Sequence, residues 1–256
     1  MCGRYHLVAD PEELLRSCGV DTLRGPDDPF GPRYNIAPSE PPHPPGSRRT
    51  SPPRLTRVPI ARKDGAAGSA VAEPAVWPLV PLWAKGEVTR YSTANARSET
   101  LRESRSYRHA WESGQRCLIP ATGFYEWQDA GGRVKQPWSI VPTNEDFFLF
   151  GGLWESSRGE DGEEVLSCTI VTVEANPLMR EIHNAGKNRH RMPLILPEEA
   201  REAWLAGSVD EAGAAIGAFP ADEMAATPIG TAVNNPGFDD PKVLEEGSAV
   251  HGTRPA

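Results

Sequence analysis

The chain has 256 residues, 38% of them hydrophobic, and a formal net charge of −8. That length and apolar content allow one large domain or two small ones with a substantial core, and the acidic balance excludes capture of nucleic acid by bulk electrostatic attraction. Four cysteines without Cys-x-x-Cys spacing argue against a disulfide framework or a zinc site, and with no secretory signal and no bilayer-length apolar run, a cytoplasmic protein with reduced thiols is expected.

The chain opens Met1-Cys2-Gly3-Arg4-Tyr5. Aminopeptidases remove an initiator Met that precedes a small residue, so a mature protein beginning at Cys2 is expected. Its α-amine, with a pKa of roughly 7.7–8.0 against about 10.4 for Lys, is far more often neutral near pH 7. Amine and thiol on adjacent carbons can condense with an aldehyde to an imine and close it to a thiazolidine. The same thiol can attack an acyl carbon. An incidental cysteine on a frayed terminus is the alternative.

Residues 10–18 read as a short helix, capped by Asp10 with Pro11 in its first turn. The Pro-rich stretch 41–54 reads as a surface insertion and 63–70 as a hairpin or loop tip. Strands are predicted at Arg116–Pro120, Gly123–Gln128, Pro137–Val141, Phe147–Leu153 and Leu166–Val173, with a turn at Asp129-Ala130-Gly131-Gly132. Helices are predicted at Pro177–Ile182 and Pro197–Leu205, and a polar, disordered tail over 241–256. No repeat period is visible. The fold class expected is α+β, one domain over 1–240 with a mainly antiparallel, barrel-like β core and flanking helices.

Cations cluster despite the acidic whole: Arg97, Arg102, Arg105 and Arg108 lie between Arg90 and Arg116, and Lys187, Arg189 and His190 between Arg180 and Arg191. Each cluster is either a solvated face or part of a locally basic groove. Individual side chains carry similar pairs of readings. Glu126, in Gly123-Phe124-Tyr125-Glu126-Trp127, shares a strand face with Phe124; a carboxyl among aromatics suits a proton shuttle, and an exposed strand glutamate is the alternative. His183 titrates near neutrality or is structural. Asn95, in Asn95-Ala96-Arg97-Ser98-Glu99-Thr100, offers an amide to a hydroxyl or oxyanion, or makes a turn. Arg4 and Arg97 could grip phosphates bidentately, or form surface ion pairs. Trp83 could stack a base or fill the core.

In order along the chain stand Met-Cys-Gly-Arg-Tyr, Arg33-Tyr-Asn-Ile-Ala-Pro38, Trp77-Pro-Leu-Val-Pro-Leu-Trp83, Asn-Ala-Arg-Ser-Glu-Thr, Gly-Phe-Tyr-Glu-Trp, Ile182-His183 and Val233-Asn-Asn235. This series resembles the SRAP family, the SOS-response-associated peptidases or abasic-site processing proteins, from Met1 to about Asn235. The resemblance implies recognition of abasic sites in single-stranded DNA and a thiazolidine DNA–protein crosslink through Cys2, together with autopeptidase-type removal of Met1. It implies catalytic roles for Cys2, Asn95, Glu126 and His183, and a DNA path at Arg4, Asn35, Pro38, Trp83, Arg97 and Thr172. No cofactor or metal, no membrane and a monomer are expected. The family's compact Ile-His-x-Arg-Met-Pro run is interrupted here by Asn184–Arg189, which leaves His183 and His190 as rival histidines; the preceding Ile and the distance from Thr172 favour His183. A glutaminase-type amidohydrolase with an N-terminal Cys, and a non-covalent single-stranded DNA-binding module, are the competing functions.

Overall fold

The protein, seen in a computed structural model, is described for residues 3–10, 13, 18–20, 22–25, 31–41, 54–65 and 68–247. Among the described residues, thirteen strands run in chain order as β1 (Tyr5–Leu7), β2 (Thr22–Leu23), β3 (Arg33–Ile36), β4 (Arg57–Asp64), β5 (Ser69–Val76), β6 (Asn95–Arg97), β7 (Arg116–Ala121), β8 (Gly123–Gln128), β9 (Gln136–Pro142), β10 (Phe148–Arg158), β11 (Glu164–Glu174), β12 (Arg191–Pro193) and β13 (Met224–Pro228). Four α-helices flank them among the described residues: α1 (Arg108–Glu112), α2 (Pro177–Ile182), α3 (Glu198–Ala206) and α4 (Val209–Ala214). None is long and apolar enough to cross a membrane.

Strands β11, β10, β7, β4 and β5 pair antiparallel in that sequence, and a parallel rung between Ser167 and Val76 joins β5 back to β11. The ring is therefore a closed five-stranded mixed barrel, which leaves these strands no open edges. A second, antiparallel sheet runs β13-β9-β8-β1-β3. One apolar cluster joins the two, from Ile60, Ile119 and Phe150 of the barrel to Tyr5, Phe124 and Ile140 of the sheet. The α+β, single-domain expectation holds.

The five predicted strands and two predicted helices all form, with edges moved by a residue or two, except that β10 continues five residues past Leu153. Its extension arises because Trp154–Arg158 pair with Glu164–Cys168 of β11. The predicted tip at 63–70 is the turn between β4 and β5, where Asp64 faces Ser69. The strands themselves escaped the sequence reading because Pro59 and Pro74 interrupt them. Those prolines face each other in register, so both missing N–H donors fall on one rung and the ladder loses little. Most of the predicted helix at 10–18 and of the 41–54 insertion lies outside the described residues.

The tail requires a correction. Residues 241–247 were expected to be disordered, but Pro241–Leu244 forms a 3₁₀ turn whose Val243 is buried. Val243 joins Tyr125, Ile229 and Val233 in a second small apolar cluster, and Gly247 N–H donates to the Pro228 carbonyl at 3.2 Å. The residues 248–256 of the expected tail lie outside the described set.

At the junction of β1 and β8, His6 stands beside Gly123. A Cβ on Gly123 would lie 2.4 Å from His6 Nε2 and 2.6 Å from the Ile140 carbonyl oxygen, so only glycine fits. His6 is buried against the Tyr125 ring at 5.1 Å, with Nδ1 2.8 Å from Thr122 Oγ1. Gly123→Ala should destabilise the protein by about 1–3 kcal/mol through overpacking, read as a lower urea midpoint at unchanged m-value. Burial lowers the His6 pKa from 6.5 to about 4. The folded protein thus binds fewer protons than the unfolded chain below pH 6.5, and stability is lost as pH falls from 6.5 toward 4. A loss of roughly 3 kcal/mol over that window is expected beyond that of His6→Gln, measured by denaturant titration at each pH.

Candidate active site

The N-terminal arm is held at two consecutive residues, Tyr5 and Arg4. Tyr5 is fully buried, with its ring edge-on to Trp77 at 5.5 Å and to Phe150 at 6.1 Å. The Arg4 carbonyl accepts the Tyr125 N–H at 3.0 Å, one residue before Glu126. The Arg4 guanidinium donates through Nη1 to Asn35 Oδ1 at 3.0 Å and to the Val233 carbonyl at 2.5 Å. Asn35 is itself buried, and its Nδ2 donates to the carbonyls of Asn235 at 2.9 Å and Phe238 at 3.0 Å. Asp239 Oδ1 accepts the backbone N–H groups of Tyr34 and Asn35 at 2.5 and 3.0 Å. Trp127 Nε1 donates to Asn234 Oδ1 at 2.7 Å. Four of the sequence motifs thus meet around Arg4. Burial, and then the nearby Arg54 charge, lower the Arg4 pKa from its ordinary value. Cys2 lies outside the described residues.

Glu126 and His183 come together between β8 and the C-terminal end of α2. Gln128 Nε2 donates to the Glu181 carbonyl at 3.2 Å, and Asn184 and Asp129 exchange two hydrogen bonds of 2.9 and 3.0 Å. Both side chains are buried, Glu126 to 3% exposure and His183 to 7%. The exposed-strand alternative for Glu126 is thereby removed. Burial depresses the His183 pKa, while the Glu126 carboxylate pulls it back up, so the two charges feel each other directly. His183 Nδ1 lies 3.0 Å from the Arg191 carbonyl and 3.2 Å from its N–H. Both contacts come from one residue, so the Arg191 backbone fixes the orientation of the imidazole. An imidazole neutral at pH 7 beside a carboxyl is equipped to pass a proton.

The Asn95–Thr100 segment is placed by a parallel rung set, Asn95 opposite Ile170 and Arg97 opposite Thr172. Tyr107 Oη donates to the Asn95 carbonyl at 3.1 Å, and the buried Thr172 hydroxyl donates to the Ala96 carbonyl at 3.4 Å. Arg191 ties this edge to β12. Its Nη1 and Nη2 meet the two Glu99 carboxylate oxygens at 2.5 and 2.9 Å, and Nη2 reaches the Thr172 carbonyl at 2.6 Å. That bidentate bond holds the Glu99 carboxyl below the usual range. Sequence reasoning passed over Glu99 and Arg191; the available signal was their position inside two of the ordered motifs.

Trp83 is partly exposed, in an aromatic group stacked on Tyr91 at 5.8 Å with the Arg105 guanidinium 5.2 Å over its ring. Pro38 is half-buried, and its carbonyl accepts from Arg54 at 2.7 Å. Arg97 is exposed and hydrogen-bonds to Asn188. The 184–189 segment forms a loop, closed where His190 N–H donates to the His183 carbonyl at 2.7 Å. His190 is partly exposed and adopts a φ of 60°, unusual for a residue with a Cβ.

Residues 1–236 match the model of the family described as SOS response associated peptidase (SRAP). The chain belongs to the SRAP family. Among curated proteins it is 32% identical over 248 residues to the abasic site processing protein YoqW of Bacillus subtilis, covering 96% of this chain and 99% of that one. It is 31% identical over 278 residues to the abasic site processing protein HMCES of Gallus gallus, covering 95% of this chain and 77% of that protein. A solved structure from Bacteroides thetaiotaomicron shares the fold, with a TM-score of 0.75 at 23% identity over 96% of this chain and all of that one (100%). The SRAP assignment therefore rests on sequence along nearly the whole chain.

The coupling within the buried pair has a direct readout. Glu126→Gln removes the charge that favours the imidazolium, so the His183 pKa should fall further below its value in the unmodified protein. Imidazole nitrogen shifts followed by NMR across a pH titration measure it, and an unchanged midpoint would refute the coupling.

Proposed function

We propose that the protein captures abasic sites in single-stranded DNA through Cys2, exposed by removal of Met1, and holds them as a thiazolidine crosslink. The observation that carries this reading is the buried, electrostatically coupled Glu126–His183 pair beside an anchored N-terminal arm. Cys2 is joined to Gly3 by a single peptide, a Cα–Cα step of about 3.8 Å. Gly3 in turn immediately precedes Arg4, whose carbonyl accepts the N–H of Tyr125, the residue before Glu126. The abasic site processing names carried by relatives over nearly the whole chain favour the same substrate.

The Cys2 amine adds to the open-chain aldehyde of the abasic sugar, and the carbinolamine loses water to give an imine. The Glu126 carboxylate takes a proton from the adding amine and hands it to the departing hydroxyl, and His183 relays protons to and from the reacting atoms. The thiol sulfur then adds to the imine carbon while its proton passes to nitrogen, so closure releases nothing further and the net change is the loss of one water. Asn95 holds the ring-opened sugar. Trp83, Pro38 and Arg97 line the strand's path. Arg4, Asn35 and Thr172, whose polar groups are engaged by backbone partners, form its wall. Removal of Met1 is hydrolysis of one peptide bond and fits an autocatalytic use of the same groups.

With N-terminal sequencing confirming a start at Cys2, incubation with an abasic oligonucleotide should raise the intact mass by that of the oligonucleotide less one water. Cys2→Ala should abolish the shift, and Glu126→Gln should slow it by about 10²–10⁴-fold. An unchanged mass with retained DNA binding would favour a non-covalent binder, and ammonia release from glutamine would favour an amidohydrolase. Equal crosslinking of single-stranded and duplex-internal sites would remove the single-strand restriction.

A further inference from the structure

The loop from Asn184 to His190 interrupts the family's motif and is fastened on three sides of the buried Glu126–His183 pair. Asn184 bonds Asp129 at the end of the Glu126 strand, at 2.9 and 3.0 Å. His190 N–H returns to the His183 carbonyl at 2.7 Å, and its own carbonyl accepts the Ala175 N–H at 3.0 Å. Asn188 Oδ1 takes the Arg97 guanidinium from β6. Inside the loop a turn closes from Arg189 N–H to the Gly186 carbonyl, with Gly186 at a φ of 89° that favours glycine.

The charges on this loop are all of one sign. Lys187 and Arg189 are exposed, and among the described residues neither has a carboxylate within ion-pair distance. The nearby Arg180 differs, being paired with Glu174, and Arg191 is consumed by Glu99. Exposed Glu181 is the acidic neighbour on the helix side. On a chain of net charge −8, two unpaired cations beside Arg97 make a local basic edge that solvation does not require. Fastening at three points limits the entropy lost when such a loop meets a polyanion.

We propose that the 184–190 loop is a phosphodiester-binding rim, in which Lys187 and Arg189, with Arg97, grip backbone phosphates flanking the nucleotide that occupies the site. It rests on the single-stranded DNA reading above, and concerns a segment that the family's compact motif lacks.

The test is the salt dependence of binding to an undamaged oligothymidylate, by fluorescence anisotropy, for the full chain and for Lys187→Ala/Arg189→Ala. Each phosphate contact contributes about 0.7 to the slope of log K against log salt on a single strand. The double variant should lose about 1.4 from that slope, so that between 50 and 200 mM salt its affinity falls about sevenfold less than that of the unmodified chain. Lys187→Arg/Arg189→Lys should restore the slope. A slope equal to that of the unmodified chain overturns the inference. So does an equal drop in Arg24→Ala/Arg158→Ala, which removes two exposed cations paired elsewhere with Asp64 and Glu164. Failure of the unmodified chain to crosslink, with the slope change intact, would instead overturn the thiazolidine reading and leave the rim standing.

Discussion

The arrangement depends on one constraint, the anchoring of the first described residues of the chain into the core. Termini ordinarily fray, because few contacts offset their conformational entropy. Here Tyr5 is inserted edge-on between Trp77 and Phe150, and the next residue toward the terminus is gripped by both its carbonyl and its guanidinium. This grip fixes the course of the chain from Arg4 onward. It also explains why residues 233–239, some two hundred positions away, contribute carbonyls and a carboxylate to β1 and β3 rather than trailing off.

A second anchor serves the opposite wall. Arg191 holds Glu99 and the Thr172 carbonyl at once, which sets β6 and β12 on either side of the end of β11. The imidazole of His183 is oriented by the backbone of the same Arg191. One side chain therefore links the Asn95 segment to the histidine, and it does so from a largely buried position where an unpaired guanidinium would be costly. The barrel supplies the rigid support, and the buried Glu126 and His183 sit outside its ring, on the second sheet and at the end of α2.

Much of the second half of the fold was readable because it is strongly periodic. Strands β7 to β11 alternate or run apolar between clear turn signals, and α2 has its Asn176 cap and first-turn proline in the sequence. The shorter β1, β3 and β6 carry too few residues for a period to register, and the prolines in β4 and β5 disguised those strands. The packed segment 241–247 was misread because its composition is polar, while a single apolar residue, Val243, carries its attachment. The burial of Glu126 was one of two readings that its neighbours allowed, since strand alternation names its face without saying what covers that face.

The amino-acid sequence by itself determined which residue types stand in which order, and through them the family and the chemical repertoire: the Cys2 thiol, a carboxyl, an imidazole and an amide. Those are local properties, written in adjacent residues. Only the tertiary structure decided that Glu126 and His183 share a buried environment, that Arg4 and Asn35 are clamped by 233–238, that Glu99 belongs to Arg191, and that the 184–190 insert is tied back to His183, Asp129 and Arg97. Each of those pairings spans a separation along the chain that carries no periodic signal, and each arises because closing the barrel and laying the second sheet against it brings remote segments to one edge.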